Sequence, residues 1–261
     1  MPAVDYLPRR LFNAFSRAGF NSDPLRALMA LQNNPEYDSF FDNFIGTRGG
    51  TWPASTPYAA TTGTGTEVIG ITQAVGGTLT LTTGANANDS AGQGLGLNWS
   101  GDRGFYFIAR IKLDAITDAK FEIGMTDDEA GDDTGEVGTK ATPTFNATDC
   151  ALFVFDTVDD TEVTFVSNGG TSDANADATG FDLAADTYFV IEVVGRGATD
   201  TTGDNVAGYI NGQLIGSGNI NGASPLTPWV YVETNTTATR TLTMDYWGVV
   251  GPKPAQWGGA T

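Results

Sequence analysis

The sequence predicts an all-β sandwich of antiparallel strands introduced by a short helical arm. About a dozen short runs rich in Val, Ile, Thr and aromatic residues are separated by Gly, Asp and Asn clusters, the pattern of a sandwich or barrel. The composition agrees: 34 glycines in 261 residues, 40% hydrophobic and 17% charged, enough apolar material for a core and too few charges for a helical bundle. Asn211-Gly212 lies between two apolar runs and supplies the positive φ values of a type I′ hairpin turn.

The elements follow in chain order. Residues 1–37 read as an arm. Arg9 to Ala18 places Leu11, Phe12 and Phe15 at helical spacing. Asp23-Pro24 is a good N-cap and first-turn pair, opening a helix with Leu25, Leu28, Met29 and Leu31 on one face, and Asn33-Asn34-Pro35 stops it. Helices this short do not stand alone, so they either pack on the β body or dock on a partner. From residue 38 to 250 strands dominate. Phe40–Phe44 opens them, and Gly46–Thr66 reads as loop. Glu67–Thr72 and Thr78–Thr82 form a hairpin, Gly84–Gly92 is loop, and Gly94–Asn98 is a short strand. Phe105–Leu113 and Phe121–Met125 read as a long hairpin. Ala151–Phe155, Glu162–Ser167, Tyr188–Val194, Val206–Asn211, Gln213–Gly216, Trp229–Glu233 and Thr241–Val250 complete the set. Residues 251–261 form a Pro/Gly-rich extended tail.

Charge and residue counts exclude several functions. The formal net charge is −18, with 13 Lys and Arg against 31 Asp and Glu. Phosphate contacts need clustered cations, so no nucleic-acid partner is expected. There is no histidine and only one cysteine, which removes Ser-His-Asp and Cys-His catalysis, His-bearing metal sites and internal disulfides. No signal peptide and no membrane-length apolar run is seen. Residues 1–50 are neutral, so the whole deficit lies beyond them, with a net of −16 in residues 113–186.

Two stretches together resemble concanavalin A-like (laminin-G-like) jelly-roll modules. One is Val206-Ala-Gly-Tyr-Ile-Asn-Gly-Gln-Leu-Ile-Gly216. The other is Trp229-Val-Tyr-Val-Glu233 followed by Thr241-Leu-Thr-Met-Asp-Tyr-Trp-Gly-Val-Val250. The resemblance implies that the final strand re-enters the sheet beside the N-terminal one. It also names functional motifs to look for. Laminarinase-type enzymes carry Glu-x-Asp-x-(x)-Glu on one strand, but Glu122, Glu162 and Glu192 all lack the Asp two residues on. The His-ended metal loop of legume-type lectins is absent too. In its acidity, its Thr, Gly and Ala content, its scarcity of Cys and His, and its short arm, the chain also resembles jelly-roll proteins of tailed bacteriophage particles. That likeness implies a capsid decoration or head-fibre subunit on the particle surface.

Candidate sites follow. On the bacteriophage resemblance, Arg9, Arg10, Arg17 and Arg26 with Leu11, Phe12, Phe15, Leu25, Leu28 and Met29 would anchor the arm on capsid or other virion proteins. Trp52 and Trp257, in extended segments, suit an intersubunit contact in a homo-oligomer. The acidic loop holding Asp127, Asp128, Asp132 and Asp133 offers calcium-type ligands without EF-hand spacing, and a solvated loop is the competing reading. No other cofactor is expected. The primary expectation is a non-enzymatic virion structural protein; the alternatives are a carbohydrate-binding adhesin or lectin module and, third, a glycan-cleaving enzyme.

Overall fold

The computed structural model describes residues 37–44, 50–51, 60–63, 68–72, 77–96, 99–128, 135, 137–140, 143–169, 175–197, 204–222 and 224–252. Strands run β1 Tyr37–Asp42, β2 Gly50–Thr51, β3 Ala60–Gly63, β4 Val68–Thr72, β5 Thr78–Thr82, β6 Ser90–Gly94, β7 Trp99–Ser100, β8 Phe105–Leu113, β9 Ala119–Thr126 and β10 Val137–Thr139. They continue as β11 Thr144–Phe145, β12 Asp149–Asp156, β13 Glu162–Gly169, β14 Asn175–Asp182, β15 Phe189–Gly195, β16 Val206–Ile210, β17 Gln213–Gly218, β18 Pro225–Thr234 and β19 Thr241–Pro252.

Alternating patterns sort these strands into two large antiparallel sheets. One has nine strands in the order β17-β16-β15-β8-β19-β5-β4-β2, with β1 also paired to β19. The other has eight, β14-β13-β12-β9-β18-β6-β3, with β7 extending along β18. A separate two-stranded ribbon joins β10 and β11. Successive side chains of a strand point to opposite faces. Phe105, Phe107, Ala109 and Ile111 of β8 therefore turn inward, as do Phe121, Ile123 and Met125 of β9 and Phe153 and Phe155 of β12, and all are buried in one core. Phe121 stacks on Phe155 with ring centroids 5.6 Å apart, and Phe153 meets Phe165 at 5.1 Å. Each such side chain contributes roughly 1.5–3 kcal/mol by burial.

Several expectations hold. The Asn-Gly hairpin is formed by β16 and β17, with Asn211 at φ 50 and Gly212 at φ 76. The β4–β5 hairpin forms, and β19 runs beside β1. Other expectations need correction. Phe105–Leu113 and Phe121–Met125 are not hairpin partners: the connection 114–118, with Asp118 at φ 53, carries the chain from the nine-stranded sheet to the eight-stranded one. Residues read as loop contain β2, β3 and the start of β6. Strands β10, β11 and β14 were not anticipated by apolar alternation. β6, Ser-Ala-Gly-Gln-Gly, has little strand propensity and is held by its neighbours β18 and β3.

Candidate functional site

The eight-stranded sheet has a second, outward face, and its side chains stand in registered rows. In one row Ser90 of β6 faces Glu233 of β18, which faces Lys120 of β9, which faces Asp156 of β12. In the next, Gly92, Tyr231, Glu122 and Val154 stand opposite one another. A third aligns Gly94, Trp229, Gly124 and Leu152. The rows combine carboxylates, one ammonium and two aromatic rings on a single surface.

This surface is dry. Glu122, Tyr231 and Trp229 are all 0% exposed. The segment containing β10 and β11 lies over it, with Val137, Phe145 and Ala147 packed on Cys150, Leu152, Val154, Val166, Trp229 and Tyr231. Burying charges is costly unless they are paired and hydrogen-bonded, and Lys120 and Glu122 are both. Lys120 Nζ lies 3.2 Å from Glu122 Oε1 and donates to the Val137 carbonyl at 2.6 Å. The Val137 N–H donates to Glu122 Oε1 at 3.0 Å. One ion pair thus grips both backbone polar groups of Val137. Gly135, at φ 72, lies directly above Glu122: an added Cβ would fall 2.6 Å from Glu122 Oε1. Asn146 Nδ2 holds the Gly135 carbonyl at 2.7 Å. Farther along, Lys140 donates through Nζ to the Asp160 carboxylate and to the Glu162 carbonyl at 2.7 Å, and through its N–H to Asp159 Oδ2 at 2.9 Å. The acidic run Asp156–Glu162 is a hairpin turn, as expected, and its carboxylates secure the overlying segment.

The electrostatics follow from this burial. Burial pushes Lys120 toward the neutral form, but Glu122, Glu233 and Asp156 outweigh it and raise its pKa. Burial raises the Glu233 carboxyl, against the pull of Lys120 and the Tyr231 hydroxyl, which donates at 2.8 Å. Tyr231 is raised well beyond its ordinary range by burial and by Glu233. Trp229 and Tyr231 stack with centroids 6.4 Å apart, and Lys120 Nζ sits 5.9 Å from the Tyr231 ring centre.

The row lies at one end of the sheet and stays buried, with Glu233 and Asp156 8% and 7% exposed. The neighbouring loops are rich in amides and carboxylates. Asn235 Nδ2 reaches Asp156 Oδ1 at 3.3 Å and Thr157 Oγ1 at 3.2 Å. Asn86 Nδ2 donates to Asp89 Oδ2 at 3.0 Å, and Asn88, at φ 67, is exposed.

At the opposite end, Asp127 accepts on Oδ1 from the Thr148 and Asp149 N–H groups (3.1 and 3.0 Å) and on Oδ2 from the Thr148 hydroxyl. Its oxygens brace a turn. Burial raises Asp149 to about 7, opposed by the Asn221 N–H and Ser224 and reinforced by Asp127. Asp128 lies in the same turn, with its N–H on Thr126 Oγ1 at 3.2 Å. Among the described residues no group of three or more metal-ligating side chains forms. Asp132 and Asp133 lie outside the described residues. So do the arm positions Arg9, Arg10, Leu11, Phe12, Phe15, Arg17, Leu25, Arg26, Leu28 and Met29, and Trp52 and Trp257.

The rows of Lys120, Glu122, Tyr231 and Glu233 were not anticipated as a site. Their signal is Lys-Phe-Glu and Tyr-Val-Glu, polar residues two apart in strands whose intervening residues are core.

No family model matches the chain, and no curated protein matches it. Solved structures do. A protein of unknown function from Shewanella oneidensis MR-1 superposes with a TM-score of 0.55 at 14% identity, over 86% of this chain and 89% of that one. A structure described with endo-acting O-glycanases of the human gut microbiota gives 0.53 at 10% identity, over 81% and 98%. The carbohydrate recognition domain of Emp47p gives 0.52 at 11% identity, over 83% and 95%. These likenesses are of fold: the chain is an all-β, concanavalin A-like jelly-roll sandwich.

Proposed function

We propose that the protein is a non-catalytic carbohydrate-binding module. The observation that carries this reading is the pair of amide-bearing turns at the end of the eight-stranded sheet of a concanavalin A-like sandwich, where Asn86 and Asn88 are exposed and the Asn88 N–H donates to the Thr234 carbonyl, next to Asn235, at 2.7 Å. Sugar hydroxyls both donate and accept, so amides held beside one another in adjoining turns, as at Asn86, Asn88 and Asn235, match them in type. The Emp47p domain, named as a carbohydrate recognition domain, shares the fold and supports the reading. Hydrolysis is disfavoured because Glu122 is bound to Lys120 and to the Val137 N–H beneath a covering segment, which leaves it neither an acid nor a nucleophile at a solvent-reachable bond. The test is a glycan array with the full chain, run with and without EDTA and repeated with Asn235→Ala. Binding that weakens in the variant supports the reading. Absence of binding to every glycan overturns it. Release of sugars in a polysaccharide digestion assay would replace it with catalysis.

A second reading, a structural subunit of a virus particle anchored by residues 1–37, is supported by the charge partition alone: a neutral, Arg-tipped segment ahead of a body that carries the whole −18. It predicts that deleting residues 2–37 abolishes incorporation into particles.

A further inference from the structure

The nine-stranded sheet also has an outward face, and it is apolar. Tyr106 and Ile108 of β8, Val194 of β15, Ala207 and Tyr209 of β16, Val250 of β19 and Tyr37 of β1 form a contiguous cluster, with Phe41, Val190 and Tyr246 packed against its margin. None of these residues faces the sandwich core, yet Val250 and Ala207 are 0% exposed, Tyr106 3% and Ile108 4%. A sheet face turned away from its partner sheet stays dry only under a cover. Among the described residues no strand or turn lies across it: β8, β15, β16, β19 and β1 are neighbours within the one sheet.

We propose that this face is covered by residues 1–36 of the same chain. The path of the chain supports the assignment, because β1 begins at Tyr37, whose side chain belongs to this cluster, so the preceding residues arrive at its margin. Leu11, Phe12, Phe15, Leu25, Leu28 and Met29 supply a matching apolar stripe. The face also carries polar groups that are satisfied within it: Glu192 accepts from the Tyr106 hydroxyl at 2.6 Å, and Arg110 pairs with Asp245. The tail 253–261 offers Trp257 alone as a large apolar side chain. This inference is independent of the glycan reading. It opposes the anchoring reading, since a stripe buried on its own sheet is not available to another protein.

The test places a photoreactive benzoylphenylalanine at Phe41 and, separately, at Leu214, which lies on the exposed rim of the same face, in the full chain. The expected product is a monomer whose cross-linked peptides map within residues 1–36. Cross-links to residues 253–261, a cross-linked dimer, or only solvent-quenched product each overturn the assignment. A second measurement uses the full-length double variant Phe15→Asp/Leu28→Asp. Nitration of Tyr106 and Tyr209 should rise several-fold while far-UV circular dichroism stays unchanged, and unchanged nitration overturns the proposal.

Discussion

The two sheets turn opposite kinds of surface outward. The outer face of the eight-stranded sheet is dry and charged: Lys120 and Glu122 lie under a segment gripped by an ion pair and backbone hydrogen bonds. The outer face of the nine-stranded sheet is dry and apolar, built of Tyr106, Ile108, Val194, Tyr209 and Val250. An apolar face accepts any apolar cover of adequate size. A face with buried charges accepts only a cover that satisfies each of them, so it specifies one register of the overlying chain. Val137 is that register, because its N–H and C=O meet Glu122 and Lys120 together.

The largest break in this contrast should come from halving the ion pair. Glu122→Leu leaves Lys120 buried without its nearest counter-charge and should cost about 3–5 kcal/mol in urea unfolding. Lys120→Met combined with Glu122→Leu should recover most of that loss; if the double variant is as unstable as the single one, charge pairing is not what holds the cover. Gly135→Ala forces a Cβ into Glu122 at positive φ, and a loss of about 2 kcal/mol is expected by the same assay.

Asp149 sharpens the picture through pH. Its folded-state pKa of about 7 lies above the ordinary 3.8. Between these values the folded chain keeps a proton that the unfolded chain has released, so stability falls as pH rises through the window and levels off above about 7. Asp149→Asn removes that slope. It should leave stability near pH 4 almost unchanged and raise it near pH 7.5 by on the order of 2 kcal/mol, read from melting curves at both pH values. The smallest effect belongs to the solvent-facing pair Lys112–Asp186, 3.0 Å apart with the carboxylate side chain 68% exposed: Asp186→Ala should change stability by less than about 0.5 kcal/mol.

What was legible in the sequence tracks where local chemistry decides structure. Alternating strands such as Phe105–Leu113 and the Asn211-Gly212 turn are dictated by period and backbone preference, and both form. β6 was not legible, because Ser-Ala-Gly-Gln-Gly becomes a strand only through hydrogen bonds to β18 and β3, distant in sequence. The pairing of β8 and β9 with different sheets was not legible either, since each strand alternates equally well as a hairpin arm. The polar rows escaped for a related reason. Lys-Phe-Glu reads as a strand with a solvated face, and only the return of Val137, Phe145 and Ala147 makes that face an interior. The partners of Asp127 were not legible either: only the folded turn brings the Thr148 and Asp149 N–H groups to its Oδ1.

The pairing of β1 with β19 sets Tyr37 opposite Pro252. The sandwich therefore closes on itself in chain connectivity, with residues 37 and 252 side by side on neighbouring strands. A host protein could carry it as an insertion in a single surface turn without separating the host's own flanking strands.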